Sequence, residues 1–263
     1  MREYSKIITL TQNGRGVYGL DTSIGCKSGL LENPKGCYSE CYAARYAKKY
    51  GYDFSKTILR KFESDRHKQS IKNKIRKINS PFFRIGVSGD PSENWVHTFN
   101  VINDVYTDIQ FNLFKERKKD VVIITKHWNE LTDKQLLNLK KYNICINTSV
   151  SALDSESDIG YRLNQYKRLK PYCKSVLRIV SCDFNKNNRI GNELNGIQKE
   201  LFDNENVIDT IFRCYKKHEY VTTGVINIEE VKFLGKKCNV SKHNKAVHFG
   251  RCEKCPDMCG LKG

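Results

Sequence analysis

At 263 residues the chain is long enough for one large domain with a substantial core, or for a barrel with a small appendage. Its 11 cysteines, odd in number and unevenly spaced, argue against a secreted disulfide framework and for metal-bound thiolates in a reducing cytoplasm. The net charge of +17 points to a polyanionic partner, though an AT-rich genome would also inflate lysine; no apolar run could span a bilayer, and Met1–Lys6 opens no signal peptide.

Val17–Asp21 reads as a first strand feeding a cysteine-bearing loop. Glu40–Tyr50, rich in Ala and basic residues, is expected to be a helix stopped by Gly51. Glu63–Ile78 is a second, strongly basic helix with Ile71, Ile75 and Ile78 at helical spacing. The apolar strand Phe83–Ser88 ends at Gly89, Asp90 and Pro91, and Thr98–Glu116 reads as a long amphipathic helix. Asp120–Thr125 contains the continuous run Val121–Ile124, the mark of a strand buried on both faces. Thr132 caps a helix over Asp133–Tyr142, and Ile144–Ser149 is another strand. Asp158–Leu169 is a helix, Ser175–Ser181 a strand with Arg178 in its middle, Asn192–Phe202 a helix and Val207–Phe212 a short last strand. Such alternation predicts parallel strands with crossover helices. Length leaves an open doubly wound sheet or a barrel or partial barrel, and no G-x-G-x-x-G follows the first strand to support dinucleotide binding.

Cys26, Cys37 and Cys41 lie on one Gly/Pro-rich loop that runs into a helix. Three thiolates so placed can hold three corners of an iron–sulfur cluster and leave a fourth iron open for a reactive ligand. Zinc is the rival occupant, although no fourth Cys or His lies nearby in sequence to close its shell. Three buried free thiols are the plain alternative.

The segment resembles the cluster loop of the radical S-adenosylmethionine (SAM) superfamily, where three cysteines after the first barrel strand bind a [4Fe–4S] cluster and SAM chelates the fourth iron. The usual spacing there is C-x3-C-x-aromatic-C; here it is C-x10-C-x3-C, with Glu40 before the last cysteine and Tyr42 after it. The wording is most similar to small radical-SAM-like proteins of phages. The resemblance implies a partial (β/α)6 barrel of parallel strands, here over residues 1–215, and SAM cleavage driven by an external electron donor; the Cys-rich residues 216–263 read by themselves as a metal-binding extension. Tyr42 would be one of the cofactor contacts.

Chemistry in parallel β/α folds gathers where strands end. Gly89 and Asp90 follow the second strand, where a glycine admits a ligand to the backbone and a carboxylate can bind an ammonium; an Asp-Pro turn is the plain reading. The pair resembles the Gly-Glu motif that holds the amino group of SAM. Lys126, His127 and Trp128 follow the third strand and could meet a phosphate or a base. Asn147, Ser149 and Ser151, at and after the fourth, suit a ribose hydroxyl, as at the ribose position of SAM in that superfamily. Arg178 would meet the SAM carboxylate, a substrate or a structural partner.

The C-terminus carries Cys238, Cys252, Cys255 and Cys259, a set that could fill a zinc site or a second [4Fe–4S] cluster, with His243 or His248 as substitute ligands and Cys214 as a spare. The expectation is a cytoplasmic radical SAM enzyme acting on DNA, RNA or a nucleotide, with nucleic-acid modification as its setting. Lys68, Lys72 and Arg76 of the basic helix would contact phosphates, beside Trp95, Trp128 and Tyr42. The alternative is a non-catalytic, zinc-stabilised nucleic-acid-binding protein.

Overall fold

The computed structural model describes residues 2–13, 16–33, 35–106, 119–180, 187–203, 209–214, 238–241 and 258–261. The run Val121–Ile124 lies inside strand β6 (Asp120–Thr125), and every residue of β7 (Ile144–Val150) is buried. With β2 (Tyr18–Leu20), β5 (Phe82–Ile85), β8 (Lys174–Val180) and β9 (Asp209–Cys214) they form six parallel strands. Antiparallel β1 (Leu10–Gln12) and β10 (Cys238–Ser241) flank them, giving the order β1-β2-β5-β6-β7-β8-β9-β10. A separate two-stranded sheet pairs β3 (Ser23–Ile24) with β4 (Ile58–Leu59).

The parallel strands follow chain order in one direction, so successive crossovers step the same way across the sheet. Period-two alternation then sorts strand residues to two faces. Phe83, Ile85, Val121, Ile123, Ile144 and Ile146 pack against α4 (Asp65–Lys77), α5 (Trp95–Tyr106), α6 (Asp133–Lys141) and α7 (Glu156–Leu169), through residues such as Ile75, Ile102, Leu139 and Leu169. Their neighbours Phe82, Val122, Cys145 and Val176 face the other way and meet Val17 and Cys259. The helices α4–α7 share one face of the sheet, which a doubly wound arrangement would not allow. Among the described residues the sheet does not close, and β1 and β10 are its two edges.

Most boundaries follow local chemistry. The Ser64 side chain accepts a hydrogen bond from the His67 N–H at the start of α4, Ser155 accepts from Asp158 at α7, and Thr132 with Gln135 forms a capping box on α6. Helix α3 (Tyr42–Tyr50) ends at Gly51, whose φ of 76° is a left-handed cap. The helix expected to reach Glu116 is described to Tyr106, and its continuation lies outside the described residues.

Helix α4 corrects one expectation. Lys72 is buried beside Ile71 and Ile75, and Lys68 pairs with Asp65 at 3.2 Å and Asp104 at 3.8 Å. Lys68, Ile71, Lys72 and Ile75 follow the i, i+3, i+4, i+7 pattern of the packed face, so Lys72, one of the three expected phosphate contacts, is withdrawn from solvent.

Candidate functional site

All six parallel strands end at one rim, and the cysteine loop leaves it after β2. Gly25 makes this exit possible: its φ is 92°, and a Cβ there would run into the Lys56 carbonyl. Its N–H donates to the Ser88 carbonyl, and the Cys26 N–H donates to that of Phe54. Cys26 caps α1 (Lys27–Glu32), Cys37 opens α2 (Cys37–Glu40) and Cys41 caps α3, so each thiol sits at a helix start. All three are free and half-buried. Glu93, unremarked in the sequence, ties the loop down by accepting from the Ser28 N–H at 2.9 Å and from the Thr57 hydroxyl.

Cys26 and Cys37 meet at His127, which follows β6. Both thiols interact electrostatically with the imidazole, whose Nδ1 lies 2.5 Å from Oε2 of Glu32. Burial works against the charged imidazole, but Cys26, Cys37 and Glu32 outweigh it and push the His127 pKa up to about 12. Burial also raises the Cys26 thiol, and there it prevails over His127. At Cys37 the same burial is overcome by His127 and the charge of Lys126, so that thiol titrates below its ordinary range.

Behind His127 runs an ion network that no local pattern announced. Arg162 of α7 reaches Glu32 at 3.5 Å and Asp154 at 2.6 Å, and Lys126 Nζ lies 2.8 Å from Asp154. Lys126 also donates to the Ser151 hydroxyl at 2.7 Å. Burial would raise the Asp154 carboxyl, yet Lys126 and Arg162 hold it below the usual range.

Asp90 has a different task from the one expected. Its carboxylate accepts from Thr125 Oγ1 at 2.6 Å and from the backbone N–H groups of Lys126, His127 and Ser92 at 2.7, 2.8 and 3.0 Å. Four donors fill a carboxylate's lone-pair sites, so Asp90 anchors the loop carrying His127 and keeps no acceptor for an ammonium. Gly89 lies beside Gly25 as a bridge partner, and a Cβ there would press on Ser23. Tyr42 points to the surface, 45% exposed, and donates to the Val87 carbonyl. Trp95 and Trp128 are buried against each other with ring centres 5.4 Å apart, so neither offers a stacking surface.

The inner sheet face gathers another part of the expected set. Asn147 is fully buried, shares its face with Cys145, and keeps a buried Oδ1 without a hydrogen-bond partner. Ser149, two residues on, is the register partner of Arg178, and both are buried. Ser151 instead belongs to the Lys126–Asp154 group.

The C-terminal cysteines divide. Cys259 lies on the inner face, where its thiol accepts from Arg84 at 2.7 Å and its carbonyl from Asn147 Nδ2 at 3.0 Å and from the Cys145 thiol at 3.2 Å. Cys238 stands opposite Cys214 in the β9–β10 ladder, while Cys252, Cys255, His243 and His248 lie outside the described residues. Among the described residues no three His, Cys, Asp or Glu side chains are set up to hold a metal ion. The donors on the Cys26–Cys41 loop nonetheless fit a soft metal by chemistry, with two of the three thiols already converging on one side chain. No helix among the described residues is long and apolar enough to cross a membrane. No family model, curated protein or solved structure matches this chain.

Proposed function

We propose that the chain is a radical-SAM-like iron–sulfur enzyme built on a partial (β/α)6 barrel, acting on a nucleotide or nucleic acid. The observation that carries this reading is positional. A loop with three thiols leaves the first of six consecutive parallel strands and lies at the rim where all six end. Cys26, Cys37 and Cys41 would hold a [4Fe–4S] cluster. Such a cluster, when bound, supplies the electron that cleaves SAM and so starts hydrogen abstraction, with an external donor to recharge it.

The chain's own residues have separable tasks. Asp90 and Glu93 fix the two loops that bear the thiols and His127. The unpartnered Oδ1 of Asn147 is an acceptor suited to a ribose hydroxyl, and Ser149 with Arg178 extends that polar strip. Asp90 is no part of the proposed SAM contacts.

A second reading rests on one specific observation. A metal-binding imidazole characteristically gives its other nitrogen to a carboxylate, which is the arrangement of His127 and Glu32. His127 would then complete a Cys3His zinc site in a nucleic-acid-binding protein without catalysis.

Anaerobic purification with an iron and zinc count separates the two. Iron in excess of zinc, absorbance near ~400 nm and 5′-deoxyadenosine formed from SAM with a chemical reductant are the expected results. Each single change of Cys26, Cys37 or Cys41 to Ala should abolish that product. A colourless protein that carries zinc, and loses it in His127→Ala, would overturn the enzyme reading.

A further inference from the structure

Helix α3 is amphipathic in the wrong sense. Its inward side carries the small residues Ala43, Ala44 and Ala47, whereas Tyr42, Tyr46 and Tyr50 are 45, 59 and 42% exposed. Were the tyrosines there for folding, their large apolar faces would be turned inward and the alanines outward. Three aromatic rings on one helix face make a patch rather than a scatter of exposed residues.

The spacing interleaves charge with those rings. Tyr42, Arg45, Tyr46, Lys49 and Tyr50 stand at i, i+3, i+4, i+7 and i+8, so one stripe reads aromatic, cation, aromatic, cation, aromatic. Tyr46 and Tyr50 are in ring contact at 4.4 Å, and Lys49 Nζ lies 5.5 Å from the centre of the Tyr50 ring. Lys48 adds a further exposed charge, and Glu40 is the only acid from Cys37 to Tyr50. Glu40 meets Arg45 across an exposed gap of 3.7 Å, a pair worth little in water.

We infer that this stripe is a binding platform for single-stranded nucleic acid. Unpaired bases offer π-faces for the tyrosines and a phosphate chain for Arg45, Lys48 and Lys49, while duplex DNA keeps its bases stacked away from such a surface. The inference deepens the proposed function by naming its substrate class. From Tyr42 to Tyr50 the helix advances about 12 Å, with about 6 Å from one tyrosine to the next. The stripe begins at the cysteine loop, since Cys41 caps the helix and Tyr42 is bonded to the loop after β5. A strand lying along it would be led to the rim.

The test is fluorescence anisotropy of the purified full-length protein with a labelled 12-residue oligothymidylate, its duplex of equal length, and phosphatidylserine vesicles. Single-strand binding should exceed duplex binding. The double variant Tyr46→Ala/Tyr50→Ala should lose about tenfold or more per ring removed. Tyr46→Leu/Tyr50→Leu, which keeps the apolar bulk, should lose as much, with unchanged thermal unfolding in both. Lys48→Glu/Lys49→Glu should lessen the slope of log affinity against log salt by about 0.7 for each phosphate that is no longer neutralised. Oligonucleotide binding unaffected by the tyrosine changes, stronger duplex binding, or binding to vesicles alone would overturn the inference. Metal content and SAM cleavage are read on the same samples. Cleavage without strand binding overturns the platform, and strand binding by a zinc protein overturns the enzyme.

Discussion

A single carboxylate shows how much of the site depends on groups that are never seen by a ligand. Asp90 satisfies three consecutive loop positions and the cap of the following turn. Asp90→Asn keeps the shape but replaces one acceptor oxygen by a donor facing N–H groups. It should cost roughly 3 kcal/mol in urea unfolding, the scale of lost charge-assisted bonds plus an unsatisfied buried group. It should also loosen His127, which hangs from the same loop. Asp154 carries a pH signature. Because Lys126 and Arg162 hold its folded pKa below the unfolded value near ~3.9, its contribution is complete above that value and is lost as pH falls through the folded pKa. Acid unfolding of Asp154→Asn should therefore lack this component, while at neutral pH the variant is weakened by about 3 kcal/mol or more because Arg162 loses a buried partner.

The cysteines were legible at this scale because thiols clustered on one loop have few other uses. Glu32, Asp154 and Arg162 were not, since their partners lie far along the chain and no local spacing joins them. His127 stands out at a strand end, but its partners do not. Lys72 was misleading although its own neighbours carried the signal: Ile71 and Ile75 mark the side of α4 on which it falls.

Among elements, the strands and helices of the α/β repeat could be read within a few residues. Their apolar runs, capping side chains and glycine stops are local, as at Thr132 and Gly51. The short strands β1, β3, β4 and β10 escaped because two to four residues make no periodic pattern. Two glycines separate backbone conformation from packing. At Gly51 a Cβ meets nothing within 4 Å, so Gly51→Ala should cost only the left-handed penalty of about 1 kcal/mol. At Gly86, with φ of 93°, a Cβ would collide with the Ile124 carbonyl and press on Pro91. Gly86→Ala should cost several times as much, read as the difference in urea midpoints, because the β5 and β6 ends must part.

For the whole molecule, strand order decides what composition left open. Six parallel strands taken in sequence, with α4–α7 on one face, leave the other face to be covered by something else. At its lower layer that cover includes the turn Met258–Gly260, which brings Cys259 against Cys145, Val176 and Arg84. A chain ending at residue 257 should unfold at a lower temperature than the full chain and bind a dye specific for exposed apolar surface, since Val122 and Val176 would lose part of their cover. Cys259→Ser alone should be milder, because the turn's backbone bonds to Asn147 and Cys145 remain. The charge of +17 does not by itself choose a partner, since even a lysine of the basic helix, Lys72, is buried within the fold.

That turn also sets a clock for biosynthesis. Residues 181–257 must be translated between the last residue of β8 and the turn that seats against it. At about 5–20 residues per second those 77 positions take roughly 4–15 s, during which the growing chain presents an unfinished inner face to the cell. Whatever enters that face from solution has its freest access in this interval, before the ribosome has supplied the piece that seats there.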